Sequence, residues 1–426
     1  MAVLNFFITD IFGVASIFMA LIALVGLLLL KKPFSDVITG VFKTALGVII
    51  LQQGVSILVN SMLPLHISIA ALQQATPFPA DMIGSADFMT GYGTQIGIAM
   101  LAGFGINLLV ARFTKWKAVF LTGHMLYWFP FVFTGVAVNA GFTGWTAGLI
   151  GGLFSAIYYV VSPNLIRPYI KEVIGDDSFT LGHPSVSFAL VGGFLAKKFG
   201  NKEKSTEDIP FPKGVKFLKE VAITGSIIIM LGYCIVLALL GITGSEVAID
   251  TGGVSMFQFV FTTGLMFGAG LTILMLGVRM LIAEITTAFT GIQEKLIPNA
   301  VPAYDCPLLF PYAPNAVILG FIISTVTSVL VIVMTSGLGL FQYAVLPVVI
   351  ACFFECGTAS VVGNAMGGRR GAVIASITSG IMMVFLLGFS LPFVDRTIAD
   401  WMLGNAGQDF SLWAIIQGLI LTPFAR

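Results

Sequence analysis

The stretch "SFTLGHPSVSFALVGGFLA", residues 178–196, decides how this chain is threaded. It is apolar enough to enter a membrane, yet Gly182, His183 and Pro184 stand near its start. Two aspartates precede it and two lysines follow it. Whether it crosses a bilayer or returns to the side it came from therefore depends on the charges in the rest of the chain.

The composition defines a membrane protein. The chain is 57% hydrophobic and 10% charged, with a mean hydropathy of +1.00, whereas a soluble domain carries about 25% charged residues. Apolar runs of roughly 20 residues recur, which is the length that a helix needs to cross ~30 Å of hydrocarbon. These long runs favour a helical bundle over a β-barrel. The net charge of +1 gives no reason to expect a nucleic-acid partner.

The predicted fold is an all-α polytopic membrane protein of about eleven transmembrane helices plus re-entrant or broken elements. An inverted repeat is expected, as in many transporters. No basic segment precedes the first run and two lysines follow it, which predicts an uncleaved first span with its N-terminus outside. The spans are predicted at 11–30, 38–60, 93–111, 118–138, 141–162, 221–243, 256–278, 315–335, 343–361, 372–393 and 410–425.

Lysine and arginine favour the cytoplasmic side of a membrane. When successive spans cross the membrane in opposite directions, Arg396 is the one basic residue that falls on the outer side. If 178–196 crossed the membrane, seven lysines after it would move outside. We therefore predict that 178–196 is a re-entrant hairpin with both ends in the cytoplasm. The alternative is a buried helix whose histidine is hydrogen-bonded in the protein interior.

A second irregular stretch is "LIPNAVPAYDCPLLFPYAPNA" (296–316). Its Pro-rich part, 298–314, contains five prolines and cannot form a continuous helix. It carries one carboxylate, Asp305. Unwound apolar backbone with an acid is typical of the elements that build transporter sites near the membrane midplane. The alternative is an interfacial loop with a solvated aspartate.

Two further segments complete the predicted organisation. Residues 197–220 form the longest hydrophilic stretch, a cytoplasmic loop that is far shorter than the ~50 residues of a domain. Residues 280–297 place apolar residues on one helical stripe, which predicts an amphipathic helix along the inner membrane surface. The sequence contains no Walker loop, nucleophile elbow or zinc-protease motif. Catalysis by this chain alone is therefore not predicted.

Few polar residues fall inside apolar segments, so each is a candidate for substrate binding. Such amide, imidazole and carboxyl groups suit a small hydroxyl-rich ligand. They lack the clustered ligands of a metal site, and no metal or other cofactor is predicted. For each residue the alternative is an interhelical hydrogen bond worth ~1 kcal/mol. The candidates are Gln52, Gln53, His124, Trp128, Gly182, His183, Ser185, Asp305 and Glu355.

Three segments resemble a known family. They are "FLTGHM" (120–125), "LGH" (181–183) with "KKFGNKEKSTED" (197–208), and "GVRMLIAEITTAFTGIQEKLIPNAVPAYDCPLLFPYAPNAVILGF" (277–321). The chain resembles the ascorbate-type membrane permease, the IIC component, of the bacterial phosphoenolpyruvate-dependent sugar phosphotransferase system. The resemblance covers nearly the whole chain, residues 1–426, as a single IIC membrane domain.

The resemblance implies a homodimer in the bacterial inner membrane, with a periplasmic N-terminus and a cytoplasmic C-terminus. Each protomer would have a dimerising scaffold and a mobile core that carries the substrate in an elevator-like motion. A separate IIB protein with a phosphocysteine, served by a IIA protein, would phosphorylate the substrate. The family's polar contacts match His124, His183 and Asp305, with Gln52 as a further candidate.

Two departures from the family pattern concern the substrate. The second Gly-His is usually followed by Gln-Gln, where this chain has Pro184 and Ser185. Trp128 stands four residues after the first histidine, where a glutamine is usual. A site that loses hydrogen-bonding amides discriminates differently, so ascorbate, a related sugar acid and a pentose-like ligand are all open.

The predicted mechanism places the ligand between the Gly182–Ser185 tip and the broken stretch around Asp305. A helix N-terminus at the tip would favour an anionic group. Asp305 or His183 would accept the proton of the attacking hydroxyl. The basic loop 197–219 would be the docking surface for IIB. The alternatives are an ion-coupled secondary transporter that releases unmodified solute, and a channel or structural membrane protein.

Overall fold

The computed structural model describes residues 14–73, 76–210, 220–243, 251–336 and 338–424, together with the isolated residues 11, 214, 217 and 249. The described chain is mostly helical. Its helices are α1 (Ala15–Leu29), α2 (Phe34–Gln73), α3 (Ser85–Gly91), α4 (Gly93–Phe113), α5 (Met125–Asn139), α6 (Gly144–Ile174), α7 (Val186–Phe199), α8 (Val221–Thr243), α9 (Met256–Lys295), α10 (Pro314–Ser336), α11 (Val349–Ser390), α12 (Ala399–Asn405) and α13 (Asp409–Leu421). Three short strands are β1 (Ala118–Phe120), β2 (Thr180–Leu181) and β3 (Val301–Tyr304).

Seven helical stretches within the described residues are long and apolar enough to cross a membrane, and α1, α5 and α13 are shorter apolar helices. This supports the predicted polytopic membrane class. Helix α11 is in fact two helices, because Gly367 and Gly368 have non-helical backbone angles. A Cβ on Gly363 would lie 2.6 Å from the Gly371 carbonyl oxygen, so the two halves fold back on each other.

The helices form two groups. Helices α1, α2, α8 and α9 pack mainly on one another, and we call them the four-helix group. Helices α4–α7, α10, α11 and α13 pack mainly on one another as a second group, which we call the core group. The three strands belong to the core group, through contacts of β1 and β2 with α6.

The strands form a small parallel sheet in the order β1-β3-β2, which the apolar sequence pattern did not predict. Ala118 pairs with Val301 in the first register and Thr180 with Ala303 in the second. Backbone at membrane depth must be hydrogen-bonded within the protein. The free edge of β1 is satisfied by Asn107, which accepts from the Phe120 N–H (2.9 Å) and donates to the Ala118 carbonyl (3.1 Å).

Both ends of the 178–196 segment are tied to the C-terminal end of α6. Arg167 forms an ion pair with Asp177 before the segment (2.6 Å), and Glu172 forms one with Lys202 after it (3.3 Å). Between these ties the chain runs through β2, the Gly-His-Pro turn and α7. Helix α7 has 14 residues, which is about 21 Å at 1.5 Å per residue and less than a hydrocarbon core.

The structure differs from the sequence prediction at two helices. The amphipathic helix predicted at 280–297 is not separate, because α9 runs without a break to Lys295. Its Leu281 and Ala288 are buried and pack against α2 and α1, at Gly47 and Gly26. The span predicted at 118–138 begins as strand β1, and its helix α5 starts only at Met125.

Candidate functional site

The parallel sheet brings three predicted residues together. His124 follows β1, His183 follows β2 and Asp305 follows β3. Because the carboxyl ends of parallel strands meet at one edge of a sheet, these side chains converge there. Asp305 lies between the two rings: its Oδ2 is 3.8 Å from Nδ1 of His124 and its Oδ1 is 3.5 Å from Nε2 of His183. All three residues are buried.

The turn that carries His183 is fixed by its neighbours. The Gly182 N–H donates to the Tyr304 carbonyl (2.8 Å), which extends the pairing of β2 with β3. A Cβ on Gly182 would lie 2.8 Å from the Ala303 carbonyl oxygen, so glycine is required for this close approach. Oγ of Ser185 lies 3.2 Å from Nδ1 of His183. Gly182 fixes the backbone of the turn and Ser185 contacts the ring, so together they hold His183 in its orientation.

A carboxylate from elsewhere in the chain holds the start of α7. Asp409, the first residue of α13, accepts from the backbone N–H groups of Val186 (3.1 Å) and Ser187 (2.9 Å), and the Ser187 hydroxyl also contacts it. The buried hydroxyl of Tyr158 lies 2.6 Å from Oδ2 of Asp409 and 2.9 Å from the His183 carbonyl oxygen. Asp409 therefore caps the helix that follows the Gly-His-Pro turn.

The three converging residues open onto a cavity, the kind of concave site in which small ligands bind. The four-helix group contributes Leu51 and Leu274 to its wall. The remaining lining residues come from the core group with its strands and connections and from α12: His124, Met125, Trp128, His183, Asp305, Ile350, Phe354, Glu355, Trp401, Asn405, Gln408 and Phe410. The cavity therefore lies where the two groups of helices face each other.

One side of the cavity is aromatic and another carries a second carboxyl group. The rings of Trp128 and Trp401 stack at 4.8 Å. Oε1 of Glu355 accepts from Nε2 of Gln408 (3.3 Å), whereas Oε2 of Glu355 has no hydrogen-bond partner among the described residues. Nδ1 of His124 is likewise without a hydrogen bond there. Buried polar atoms are usually hydrogen-bonded, so these two stand out as candidates for a ligand contact.

The predicted site residues fall into three sets. His124, Trp128, His183, Asp305 and Glu355 line the cavity. Gly182 and Ser185 do not line the described cavity, but they hold the turn and the ring of His183 in place. Gln52 and Gln53 are on α2, where the described cavity wall contains their neighbour Leu51 but neither glutamine.

Sequence reasoning missed the contribution of residues 401–410. Trp401, Asn405 and Gln408 line the cavity, and Asp409 caps α7. They lie between the predicted spans 372–393 and 410–425, in a connection that the sequence predicts on the outer side of the membrane. The signal was present, because "WMLGNAGQDF" mixes aromatic and amide residues in an irregular stretch, like the one around Asp305.

The three converging residues could also hold a divalent metal ion. Each offers one ligand atom, and these atoms lie within 4.8 Å of one another. Two imidazoles and one carboxylate suit a transition metal. The sequence prediction of no metal site did not foresee this cluster, because the three residues are distant in the chain and only the sheet brings them together.

The fold and the cavity define a membrane transport protein: apolar helices surround a buried polar site where two groups of helices meet. The family model of the PTS system sugar-specific permease component (EIIC-GAT) matches residues 10–414, and the chain belongs to this family. It is similar to the "Ascorbate-specific PTS system EIIC component" of Mycoplasma pneumoniae, with 25% identity over 94% of this chain and 68% of the relative.

The family resemblance predicted from the sequence is therefore confirmed. The chain is a sugar-specific IIC permease of the phosphotransferase system, a multi-pass membrane protein that acts on a sugar together with IIB and IIA proteins. These findings give no support to the alternative of an ion-coupled secondary transporter.

Proposed function

We propose that the cavity between the two helix groups is the sugar site of this permease. The observation that carries the proposal is the convergence of His124, His183 and Asp305 at the ends of three parallel strands. Paired imidazoles beside a carboxylate can donate and accept hydrogen bonds to several hydroxyls of one ligand. Trp128 and Glu355 extend the contact surface on the other sides of the ligand.

Asp305 is the proton acceptor in the proposed reaction. The sugar hydroxyl attacks the phosphorus of the IIB phosphocysteine, the P–S bond breaks, and the hydroxyl proton passes to Asp305. Nε2 of His183 lies 3.5 Å from Asp305 and orients its carboxylate. Distances slightly beyond hydrogen-bond length are common before a ligand binds. The chain contributes positioning and proton transfer, and IIB contributes the phosphoryl group.

The 178–196 segment is proposed to be a re-entrant hairpin that brings His183 to the site. Its support is the pair of ties, Arg167–Asp177 and Glu172–Lys202, which hold both ends of the hairpin at the same end of α6. The Pro-rich segment 298–314 enters in the same way with β3 and Asp305. Single cysteines at Asp177 and Lys198 should label from the same side of the membrane, and labelling from opposite sides would disprove the hairpin.

The two groups of helices fit an elevator-type motion. The strands and most of the cavity wall belong to the core group, so this group can carry the sugar as one body. The four-helix group contacts the cavity only through the apolar side chains of Leu51 and Leu274 among the described lining residues. We propose that it is the scaffold and that it forms a homodimer. Cross-linking between protomers in membranes would test the dimer.

The membrane topology is proposed as eleven spans in the bacterial inner membrane. When α11 counts as two spans and α3, α7 and α12 do not cross, the described helices supply this number. The distribution of lysine and arginine supports a periplasmic N-terminus and a cytoplasmic C-terminus. The pairing of α1–α2 with α8–α9, from opposite halves of the chain, supports an inverted repeat. Reporter fusions at both termini test the orientation.

The IIB protein is proposed to dock on the basic loop that follows α7. Its first part is held firmly on the core group: the Asn201 N–H donates to the Gly367 carbonyl (2.8 Å) and the Arg369 side chain to the Ser205 carbonyl (2.6 Å). Residues 197–204 supply four lysines to this surface. Because exposed charges steer association, phosphoryl transfer from IIB should slow as salt increases.

The direct test of the sugar site is the binding of radiolabelled sugars to purified wild-type protein and to His183→Ala. The proposal expects a loss of affinity of at least about tenfold, since a buried donor to the ligand is removed. Gln53→Ala is the matched control, because Gln53 is exposed on α2 and does not line the described cavity. Unchanged affinity in His183→Ala would contradict the proposed site.

A further inference from the structure

A second concave site lies away from the cavity, where the C-terminal ends of α4 and α6 meet. Three parts of the chain line it: the turn after α4, the last turns of α6, and the start of the 178–196 hairpin. Its wall includes Lys115, Trp116, Asn164, Arg167, Lys171 and Asp177. It shares no lining residue with the cavity of the proposed sugar site. We call it the basic pocket.

The basic pocket carries an uncompensated positive charge. Nε and Nη2 of Arg167 bind both oxygens of Asp177 (2.7 and 2.6 Å), so this pair is neutral. Lys115 and Lys171 are exposed, and neither ammonium group has an ion pair or a hydrogen bond within the described part of the chain. Lys117 is different, because its ammonium donates to a carbonyl in the last turn of α4 (2.8 Å). Two lysines thus remain available to an anion.

The length of α6 places the basic pocket at the level of lipid headgroups. Trp145 is exposed at the first end of α6, and exposed tryptophans mark membrane boundaries. At 1.5 Å per residue Leu165 follows about 30 Å later, the thickness of the hydrocarbon layer. Arg167 and Lys171 therefore lie just beyond the hydrocarbon, on the side that the charge distribution predicts to be cytoplasmic. Trp116, half-buried in the same pocket, marks this second boundary.

An exposed apolar surface leads from the membrane interior to the basic pocket. Leu165 lines the pocket and is exposed. Leu109 and Phe113 are exposed on α4, and Leu153 and Ile157 on α6. At hydrocarbon depth such side chains contact acyl chains. A soluble partner could cover the two lysines, but it could not cover these side chains. A phospholipid supplies a charged headgroup and apolar chains in one molecule.

We propose that the basic pocket binds an anionic phospholipid. Lys115 and Lys171 contact the headgroup phosphate, and the acyl chains lie along the exposed side chains of α4 and α6. Basic pockets between transmembrane helices bind anionic headgroups in this way, and each nearby lysine strengthens the attraction. Arg167 stays paired with Asp177 and shapes the wall. The proposal does not depend on which ligand occupies the cavity.

The test is a lipid titration of the purified full-length protein in detergent, followed by native mass spectrometry. Phosphatidylglycerol is compared with phosphatidylcholine of the same acyl chains, whose headgroup has no net charge. We expect phosphatidylglycerol to bind about tenfold more tightly. In the double variant Lys115→Gln/Lys171→Gln this preference should fall to about twofold or less. Lys197→Gln/Lys198→Gln is the matched control, because it removes two exposed charges at the end of α7 and should leave the preference unchanged.

Two further arms distinguish other occupants of the basic pocket. Glycerol phosphate, a headgroup without chains, should not displace phosphatidylglycerol at equal concentration, and displacement would show a site for soluble anions instead. Binding of IIB in lipid-free detergent should be the same for the Lys115→Gln/Lys171→Gln variant and the wild type. A loss of IIB binding with an unchanged lipid preference would show a protein-docking site and overturn the proposal.

The unmodified protein provides a second measurement if the double variant does not fold. Exposed charges are screened by salt, so the preference for phosphatidylglycerol should decrease as the ammonium acetate concentration rises. Equal binding of the two lipids, or a preference that salt does not change, would overturn the proposal.

Discussion

The two Gly-His turns of the cavity are built alike but held differently. Each follows a short strand and precedes a helix, with His124 before α5 and His183 before α7. Nδ1 of the His183 ring is 3.2 Å from the Ser185 hydroxyl. The backbone carbonyl oxygen of His183 is 2.9 Å from the Tyr158 hydroxyl. Nδ1 of His124 has no hydrogen-bond partner in the described part of the chain. The His183 ring is thus held by a hydroxyl as well as by Asp305, whereas the His124 ring faces Asp305 alone.

This difference suggests a division of roles. A group that is already positioned contributes to catalysis without further ordering, because the cost of orienting it was met during folding. A group that becomes ordered on binding contributes to affinity, but part of its contact energy is offset by lost side-chain entropy. We therefore expect His183 to act on the phosphoryl transfer step as well as on sugar affinity, and His124 to act on sugar affinity alone.

Asp305 is the partner that both turns share, and removing its charge should have the largest effect. In Asp305→Asn the proposed proton acceptor is lost, and an amide nitrogen replaces one of the two carboxylate oxygens beside the imidazole rings. Phosphorylated sugar formed with IIB and IIA proteins should decrease by about 100-fold or more, the range of general-base catalysis. Sugar binding is measured separately, and a decrease in binding alone at an unchanged transfer rate would contradict the role of Asp305 as base.

Asp409 supports only the His183 turn, so its replacement should separate the two turns. Asp409→Asn weakens the capping of α7 and the contact with Tyr158, and the unfolding free energy should fall by about 1–3 kcal/mol. Transfer should fall by about tenfold as the His183 turn loosens, while sugar affinity changes little. Ser187→Ala is the control, because it removes one contact to Asp409 and keeps the carboxylate. An equal loss of affinity and rate would show that the two turns are not independent.

His124→Gln should give the opposite pattern. Nδ1 of its imidazole makes no hydrogen bond among the described residues, and we expect the unfolding free energy to fall by no more than about 1 kcal/mol. Sugar affinity should fall by up to about tenfold, since one ligand contact is lost. Thermal unfolding with and without sugar measures both quantities on one sample. A large loss of stability without sugar would mean that the His124 turn is as preorganised as the other.

The sequence contained the ionisable groups of the candidate site but not the contacts that fix them. His124, His183 and Asp305 could be predicted, because ionisable residues are rare in apolar segments and therefore stand out. The sheet that joins them could not, because strands of two to four residues leave no alternating pattern in a sequence that is apolar throughout. Their pairing depends on segments that are far apart in the chain.

The helices show the same limit. Apolar runs predicted the class and most of the helices, but not that α9 continues through 280–295, because its buried contacts with α1 and α2 are tertiary. Asp409 stood at the start of a predicted span, where it resembled an ordinary flanking charge. Only the packing of α13 against the start of α7 gives it a partner. A residue that acts by binding backbone far away in the chain leaves no local pattern in the sequence.

The smallest expected effect concerns the Arg167–Asp177 ion pair, at the start of the hairpin that carries His183. The hydrogen bond from Arg167 holds the pKa of Asp177 below its ordinary value. A carboxyl group with a lowered pKa stabilises the folded state above its unfolded pKa of about 3.9, and this contribution is lost as the pH falls through the lower folded value. Because the pair is partly exposed to solvent and screened, it should contribute less than about 1 kcal/mol.

Arg167→Gln should therefore lower the melting temperature slightly at pH 7, and the difference from the wild type should shrink below about pH 4 and vanish below the lowered pKa of Asp177. Lys202→Gln, at the other end of the hairpin, is the matched control, because it removes the ion pair with Glu172 and leaves Asp177 paired. Sugar affinity should be unaffected in both variants, since the two ties hold the ends of the hairpin and His183 is held by Ser185 and Tyr158. A loss of affinity in Arg167→Gln as large as that in His124→Gln would show that the ends of the hairpin, and not its tip, determine the position of His183.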